Sequence, residues 1–209
     1  MAKADAAAEA PRNGSANQRH LLCEAARTVF AKRGWSRART RDIADAAGVT
    51  ETVLYRHFAS KQELFEASIL EPLEEFVSLL KTLAPQMQSA KPRGRAGLAN
   101  QVHIAIQRAM NDMAPLLGVA LFSDVEAGKR FYRERLLPEI REAAELIDQA
   151  ARPETREAIS SEQLLVAMLG IHLAIATQSR LSREPVVEND LASILTRFLA
   201  FGLPLKSHK

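Results

Sequence analysis

One short stretch decides the fold of this chain: residues 40–61 read TRDIADAAGVTETVLYRHFASK. Thr40 and Thr50 are good N-cap residues, because a threonine hydroxyl accepts a hydrogen bond from the free backbone N–H groups at a helix start. Gly48 lies between them and tolerates the left-handed conformation that ends many helices. The stretch therefore predicts two short helices joined by a tight turn, which is the layout of a helix-turn-helix.

The side chains inside this stretch suit two closely packed helices. Ala44 and Ala47 are small enough to let the helices approach each other. Ile43, Leu54 and Phe58 are placed to fill the wedge between them. The outer face of the second helix is then free to enter a major groove of DNA, N-terminus first.

Helix signals continue before this stretch. A first helix is expected from about Gln18 to Arg33, since Leu22, Ala26 and Phe30 recur there at helical spacing. Gly34 follows and supplies a left-handed stop. The N-terminal part of the chain thus predicts a small three-helix domain.

Longer helices are predicted after the stretch. Ser60 and Glu63 form a capping box at the start of a fourth helix. Further helices are expected over about 64–86 with a bend near Pro72, 98–112, 115–123, 127–151 with a bend near Pro138, 161–181 and 188–201. Residues 89–97 resemble a linker. We therefore expect an all-α fold of about nine helices, with no sheet.

Composition and charge divide the chain into three regions. The expected regions are a disordered arm (1–17), a helix-turn-helix domain (18–64) and a longer helical body (65–209). From Ser15 to Phe65 there are nine Lys and Arg against five Asp and Glu, whereas residues 66–209 hold 17 basic and 18 acidic residues. A basic head on a nearly neutral body suits a small module that meets phosphate.

Several protein classes are not expected. The single cysteine, Cys23, excludes an intramolecular disulfide and is expected to be a small core residue. His103 and His172 each lie alone on apolar helices, as core histidines or polar groups of a pocket. No nucleophile–base pair or metal-ligand set is recognisable, so no catalytic residue, metal or cofactor is predicted. No signal peptide or membrane-length apolar run is recognisable, which predicts a cytoplasmic protein.

The segments Thr40–Ala44, Ala47–Thr50 and Leu54–Lys61 resemble the signature of the tetracycline-repressor (TetR) family, over about Gln18 to Phe65. The resemblance implies a homodimeric, all-helical transcriptional repressor. Its N-terminal domain would bind double-stranded operator DNA, and its C-terminal domain would bind a small effector that releases the DNA. Two alternatives stay open: a DNA-associated adaptor, and an intracellular ligand-binding protein or enzyme of the same fold without operator control.

The predicted DNA-contacting residues lie in and around the second helix of the motif. They are Arg39, Thr40, Thr50, Glu51, Thr52, Tyr55, His57 and Lys61. The resemblance places four of them on phosphates, namely Thr40, Tyr55, His57 and Lys61. Arg39 belongs to an alternating basic run with Arg37 and Arg41, which is expected to flank the phosphate backbone or simply to be solvated.

Two residues, Glu51 and Thr52, stand where base contact is usual in the family. Thr52 can donate to a base or meet a thymine methyl, and Glu51 can accept from cytosine. The family often has Gly where this chain has Thr52, and a small residue where it has Val53. Because a carboxylate repels a polyanion, Glu51 needs an offsetting cytosine contact or a neighbouring arginine. The operator sequence is therefore not readable by analogy.

The helical body is expected to hold the effector pocket and the dimer interface. Predicted pocket residues are Ile104, Arg108, Leu117, Leu121, Phe122, Phe131, Met168 and His172, which favour a lipophilic ligand. Arg108, Tyr132 or His172 would supply a polar contact. The last two helices, 161–181 and 188–201, are too apolar for isolated surface helices. They predict a homodimer interface or, alternatively, two core helices of a monomer.

Overall fold

The computed structural model describes residues 10–150 and 160–182. Its elements are α1 (Ala10–Arg37), α2 (Thr40–Ala46), α3 (Glu51–His57), α4 (Lys61–Ser89), α5 (Pro92–Phe122), α6 (Val125–Phe131), a π-helical segment (Tyr132–Leu136), α7 (Leu137–Ala150) and α8 (Ser161–Ser182). These described residues contain no strand, so the predicted all-α class is confirmed. The expected helix over 188–201 lies outside them, and the eight α-helices differ slightly from the expected nine.

The chain divides into two compact units, of which the first ends at Glu71 and the second begins at Pro72. The division falls inside α4, a few residues after the boundary expected at Leu64. The assignment of DNA binding to one unit and effector binding to the other stays a prediction at this point.

Three local signals in the first unit fold as expected. Gly34 and Gly48 adopt positive φ angles of 74° and 68°, a conformation that is readily available only to glycine. Thr50 caps α3, because its hydroxyl oxygen accepts from the backbone N–H of Val53 at 3.3 Å. The boundaries of α3 are thus determined by residues within the quoted stretch.

The cap predicted at Ser60 is also present. Its hydroxyl oxygen accepts from the backbone N–H of Glu63 at 3.0 Å. In the standard capping box the N3 side chain accepts from the backbone N–H of the N-cap residue. Here the Glu63 carboxylate accepts instead from the backbone N–H of Ala59, the residue before the N-cap, at 2.7 Å. Two backbone donors at this helix start are therefore satisfied.

The cap predicted at Thr40 is wrong. Arg39 occupies the N-cap position without a side-chain hydrogen bond, and Thr40 is the first residue of α2. The Thr40 hydroxyl instead bonds to side chains of α3, which lie 11 and 15 residues further along the chain. A tertiary partner has replaced the local one.

An aromatic cluster anchors the core of the first unit. Trp35 stacks on Phe30 with ring centroids 5.7 Å apart and meets Phe65 edge-on at 4.9 Å. The wedge residues Ile43, Leu54 and Phe58 are almost completely buried, as is Cys23. The predicted wedge and the core role of Cys23 are both confirmed.

Two segments expected to lack regular structure are helical. Residues 10–17 belong to α1, because extending an existing helix adds a hydrogen bond for each residue ordered. The expected linker at 89–97 is reduced to two residues between α4 and α5. Pro92 opens α5 at its first turn, where a proline is favourable because that backbone position needs no N–H.

One proline that was expected to separate two helices does not do so. Pro115 lies inside α5, so the two helices expected over 98–112 and 115–123 form one. The neighbouring Met113 and Leu116 are buried, and their packing outweighs the single hydrogen bond that proline removes.

The helix expected over 127–151 is divided into three elements. Leu137 donates its backbone N–H to the Tyr132 carbonyl, which is an i to i−5 hydrogen bond. Pro138 has no N–H to give to Glu134 in the ordinary helical pattern. The π-helical register before Pro138 accommodates that missing donor.

Close backbone packing marks the second unit. A Cβ atom added to Gly128 in α6 would lie 2.2 Å from the carbonyl oxygen of Leu121 in α5. Only a glycine permits this approach. Helix α5 also packs against α8, which in turn packs against α7.

No apolar run of membrane length was expected from the sequence, and helix α8 corrects that expectation. Ser161–Ser182 is long and apolar enough to cross a membrane, with a mean hydropathy of 1.5 over its best window. Length and composition alone are weak evidence, because helices of soluble proteins meet the same criteria.

Candidate nucleic-acid interface and ligand cleft

A row of three polar side chains joins α2 to α3. The Thr40 hydroxyl lies 2.6 Å from Glu51 Oε1 and 3.2 Å from the Tyr55 hydroxyl oxygen. A carboxylate only accepts, so Thr40 donates its single hydrogen to Glu51. Tyr55 must then be the donor to Thr40. The row thus runs from the Tyr55 hydroxyl through Thr40 and ends on the Glu51 carboxylate.

The start of α3 presents both predicted base-contacting residues. Thr52 is exposed and Glu51 is half-buried. Thr50 is exposed too, but its hydroxyl oxygen is used in capping α3. Tyr55 lies one turn further along and retains 49% of its accessible surface. Of the predicted DNA-contacting residues within α3, Thr52 and Tyr55 are the exposed ones.

Lys61 is engaged within the protein. Its ammonium donates to the backbone carbonyl of Trp35 and lies 4.4 Å from the Trp35 ring centroid and 6.0 Å from that of Phe30. Burial lowers the pKa of Lys61. The side chain thereby links the start of α4 to the end of α1, and its phosphate contact stays a prediction.

His57 lies among cations and is half-buried. Its Nε2 atom is 3.4 Å from Gln18 Oε1, to which Arg56 also donates at 3.4 Å. Burial, then the charge of Arg56, then that of Arg19 lower the pKa of His57. The imidazole is therefore neutral near pH 7 in a positively charged setting.

The basic run around the start of α2 faces solvent. Arg37, Arg39 and Arg41 are all exposed, and Arg41 lies 4.0 Å from Asp45 one turn later. The sequence reasoning did not identify Gln18 or Arg19, whose contacts reach residues almost forty positions away. No local pattern could have revealed those contacts.

A cleft of about 360 Å³ opens between α4 and α5 in the second unit. Its lining residues are Pro72, Glu75, Phe76, Leu79, Gln101, Ile104, Ala105, Arg108, Ala109 and Asp112. An apolar floor is thus flanked by exposed polar and charged groups. Such a lining is typical of sites that bind small amphipathic molecules.

Two of the eight predicted pocket residues, Ile104 and Arg108, line this cleft. The other six lie elsewhere: Leu117, Phe131, Met168 and His172 are buried, Leu121 is half-buried and Phe122 is 81% exposed. The eight residues do not share this cleft, because Leu117, Leu121 and Phe122 lie further along α5 than its lining, and the other three belong to α6 and α8.

The two histidines that stand alone in the sequence meet in the interior. His103 Nδ1 lies 3.1 Å from His172 Nε2, and His172 Nδ1 lies 2.8 Å from Gln107 Oε1. Burial, followed by the proximity of His103, lowers the pKa of His172 to about 4. Burial lowers the pKa of His103 as well. Both imidazoles are thus neutral near pH 7 and join α5 to α8.

Comparison with known proteins identifies the first unit independently. The family model described as bacterial regulatory proteins, tetR family, matches residues 22–68. The chain is 29% identical to the nucleoid occlusion factor SlmA of Marinobacter nauticus over 76% of this chain and 83% of that protein. It is 42% identical to the HTH-type transcriptional repressor KstR2 of Mycolicibacterium smegmatis, over 31% of this chain and 30% of that one.

The fold is shared across nearly the whole chain. The transcriptional regulator FadR of Bacillus subtilis, solved in complex with stearoyl-CoA, superposes with a TM-score of 0.61. At 15% identity, the superposition covers 88% of this chain and 98% of that structure. The family match, the relatives and the shared fold agree: residues 22–68 match the TetR-family model, and the chain is similar to DNA-binding transcriptional regulators.

Proposed function

We propose that the chain is a homodimeric repressor that binds an operator through its first unit and is released by a lipophilic effector in its second. The observation that carries the proposal is the polar face of α3, where Thr52 and Tyr55 are exposed beside the arginines that precede α2. A polar helix face flanked by cations is what major-groove binding requires.

In this proposal α3 enters the major groove. Tyr55, His57 and Arg39 contact phosphates, while Glu51 and Thr52 face the bases. Thr40 and Thr50 set the position of α3, through the bond to Glu51 and through the cap. Lys61 reaches a phosphate only if its ammonium leaves Trp35, so we assign it a mainly structural part.

The dimer interface is proposed to include α8. Its exposed face carries apolar and small residues at helical spacing: Val166, Gly170, Ile171, Ala174 and Leu181. Val166 is 45% exposed and Leu181 is 78% exposed, an unfavourable arrangement for an isolated protomer. The second helix assigned to the interface, 188–201, lies outside the described residues.

The cleft between α4 and α5 is the proposed effector site. Its volume of about 360 Å³ falls within the range of small-molecule sites. Apolar side chains form its floor, and the relative solved with stearoyl-CoA supports a lipophilic class of ligand. Effector binding would favour a conformation in which the two recognition helices no longer match successive major grooves.

The other functions raised by the sequence are less well supported. The relatives described above are named as regulators or as a nucleoid factor rather than as enzymes. A cytoplasmic, DNA-bound regulator without catalytic activity is the simplest proposal for this chain. An adaptor or ligand carrier without operator control is not favoured.

The direct test is binding of the purified full chain to a fragment of its own promoter, followed by fluorescence anisotropy. We expect sequence-specific binding that weakens steeply as salt rises, because each phosphate contact releases counterions. Adding long-chain acyl-CoA should release the DNA. Binding that is weak and insensitive to sequence at modest salt would contradict the proposal.

A further inference from the structure

Glu51 is the first residue of α3, and only one of its carboxylate oxygens is occupied. Oε1 accepts from Thr40 at 2.6 Å. Among the described residues, no hydrogen bond or ion pair reaches Oε2. The inference below rests on the proposed function, since it concerns how the DNA-binding surface reads its operator.

The bond from Thr40 restricts the Glu51 side chain. A free glutamate loses rotamer entropy when it engages a base, whereas one that is already held loses less. Tyr55 donates to Thr40, which leaves the single Thr40 hydrogen for Glu51. One oxygen is therefore held in place beside the exposed Thr52 while the other is available.

The chemistry of an ionised carboxylate limits what this available oxygen can read. A carboxylate has no donor, so it is repelled by phosphate and by base edges that present acceptors. In the major groove, guanine presents N7 and O6, and thymine presents O4. Adenine offers its N6 amine beside the N7 acceptor, whereas cytosine offers its N4 amine alone. Cytosine is therefore the base whose own major-groove edge presents a donor and no acceptor.

We propose that Glu51 is a specificity-determining residue that accepts a hydrogen bond from the N4 amine of one cytosine in each operator half-site. Thr40 is its positioning residue. Because the Thr40 hydroxyl carries one hydrogen, it cannot hold Glu51 and donate to a phosphate at the same time. The Tyr55 hydroxyl can give up its bond to Thr40 and donate to a phosphate instead, because the bond from Thr40 to Glu51 does not depend on it.

The substitution Glu51→Gln isolates the available oxygen. The amide oxygen of glutamine can still accept from Thr40, while its NH₂ group replaces the available acceptor by a donor. The experiment selects binding sites for the full-length protein from a randomised duplex library, followed by affinity measurements on single-base variants of the selected site.

We expect the wild-type protein to select one cytosine in each half-site, and replacement of that base to weaken binding about tenfold. In Glu51→Gln the preference at that position should disappear, so that the four bases bind within about threefold of each other. Thr40→Val should weaken the same preference, because it frees the carboxylate without removing it.

The matched control is Glu24→Gln, which removes one negative charge from an exposed residue of α1. It should raise affinity for all sequences slightly and leave the selected motif unchanged. If Glu51→Gln selects the same cytosine as the wild type, the inference is overturned although the proposed function stands. If the wild-type protein enriches no motif, the proposed function fails, and this inference fails with it.

Discussion

The two units use the same residue type in opposite ways. His57 in the first unit lies near the surface among Arg19 and Arg56, where a bound phosphate would favour its charged form. His172 in the second unit is fully buried against His103 and Gln107, where protonation is strongly disfavoured. In the first unit the histidine thus lies where a phosphate could reach it, whereas in the second unit the histidine hydrogen-bonds two helices of the same protein to each other.

The largest expected effect concerns backbone packing in the second unit. Gly128→Ala would place a Cβ 2.2 Å from the Leu121 carbonyl oxygen, so α5 and α6 must separate. We expect the free energy of unfolding to fall by about 3 kcal/mol or more, as measured by urea denaturation. The control Gly118→Ala meets nothing within 4 Å and should raise stability by about 0.5–1 kcal/mol. Equal stabilities would show that the close approach is unimportant.

The next largest effect concerns DNA affinity. Tyr55→Phe removes the exposed hydroxyl that we assign to a phosphate, a hydrogen bond to a charged group worth about 1.5–3 kcal/mol. Operator affinity should fall at least tenfold while the melting temperature changes little, as followed by anisotropy and circular dichroism. Tyr132→Phe in the second unit is the control and should bind normally. An unchanged affinity in Tyr55→Phe would remove Tyr55 from the interface.

A third prediction concerns stability and pH. The pKa of His172 is lowered from 6.5 to about 4 in the folded state. Below pH 6.5 the unfolded chain therefore binds a proton that the folded chain does not, and stability falls as pH drops toward 4. The slope approaches about 1.4 kcal/mol per pH unit for one group. The free energy of unfolding, measured by urea titration at several pH values, should fall more steeply with decreasing pH in the wild type than in His172→Gln. Equal pH dependence in the two proteins would rule out the effect.

The smallest expected effect concerns the pH dependence of DNA affinity. Its sign is opposite to that of the stability effect, because lower pH should strengthen binding. If His57 contacts phosphate, its pKa rises on DNA binding, because the anion favours the imidazolium. Operator affinity should then increase as pH falls from 8 to 6, by up to about tenfold in total if DNA binding raises this pKa by one unit. His57→Gln should flatten this dependence in anisotropy titrations at constant salt. A wild-type affinity that does not change with pH would assign His57 to packing alone.

The sequence predicted most of the first unit because its signals are local. Thr50 bonds to a backbone group three residues away, and Gly34 and Gly48 need only their own φ angles. Thr40 is the exception. It looked like a cap in the sequence, but its hydroxyl bonds to Glu51 in the folded chain.

The second unit was less predictable because its determinants are not local. Pro115 looked like a helix boundary, yet packing keeps α5 continuous through it. Of the residues predicted to bind the effector, Ile104 and Arg108 line the cleft, whereas Phe122 and Met168 do not, since Phe122 is exposed and Met168 is buried. Effector binding by any of them stays a prediction. Hydrophobicity alone does not say which face of a long helix lines a cavity.

The sequence by itself determined that residues 40–61 form a helix-turn-helix, since caps, turn glycines and wedge spacing act over a few residues. Only the tertiary structure decided the partners of the chemically important side chains. Glu51 meets Thr40 across the turn, and His103 meets His172 from 69 residues away. Such contacts depend on how helices pack, and helix packing is set by the whole core rather than by any local pattern.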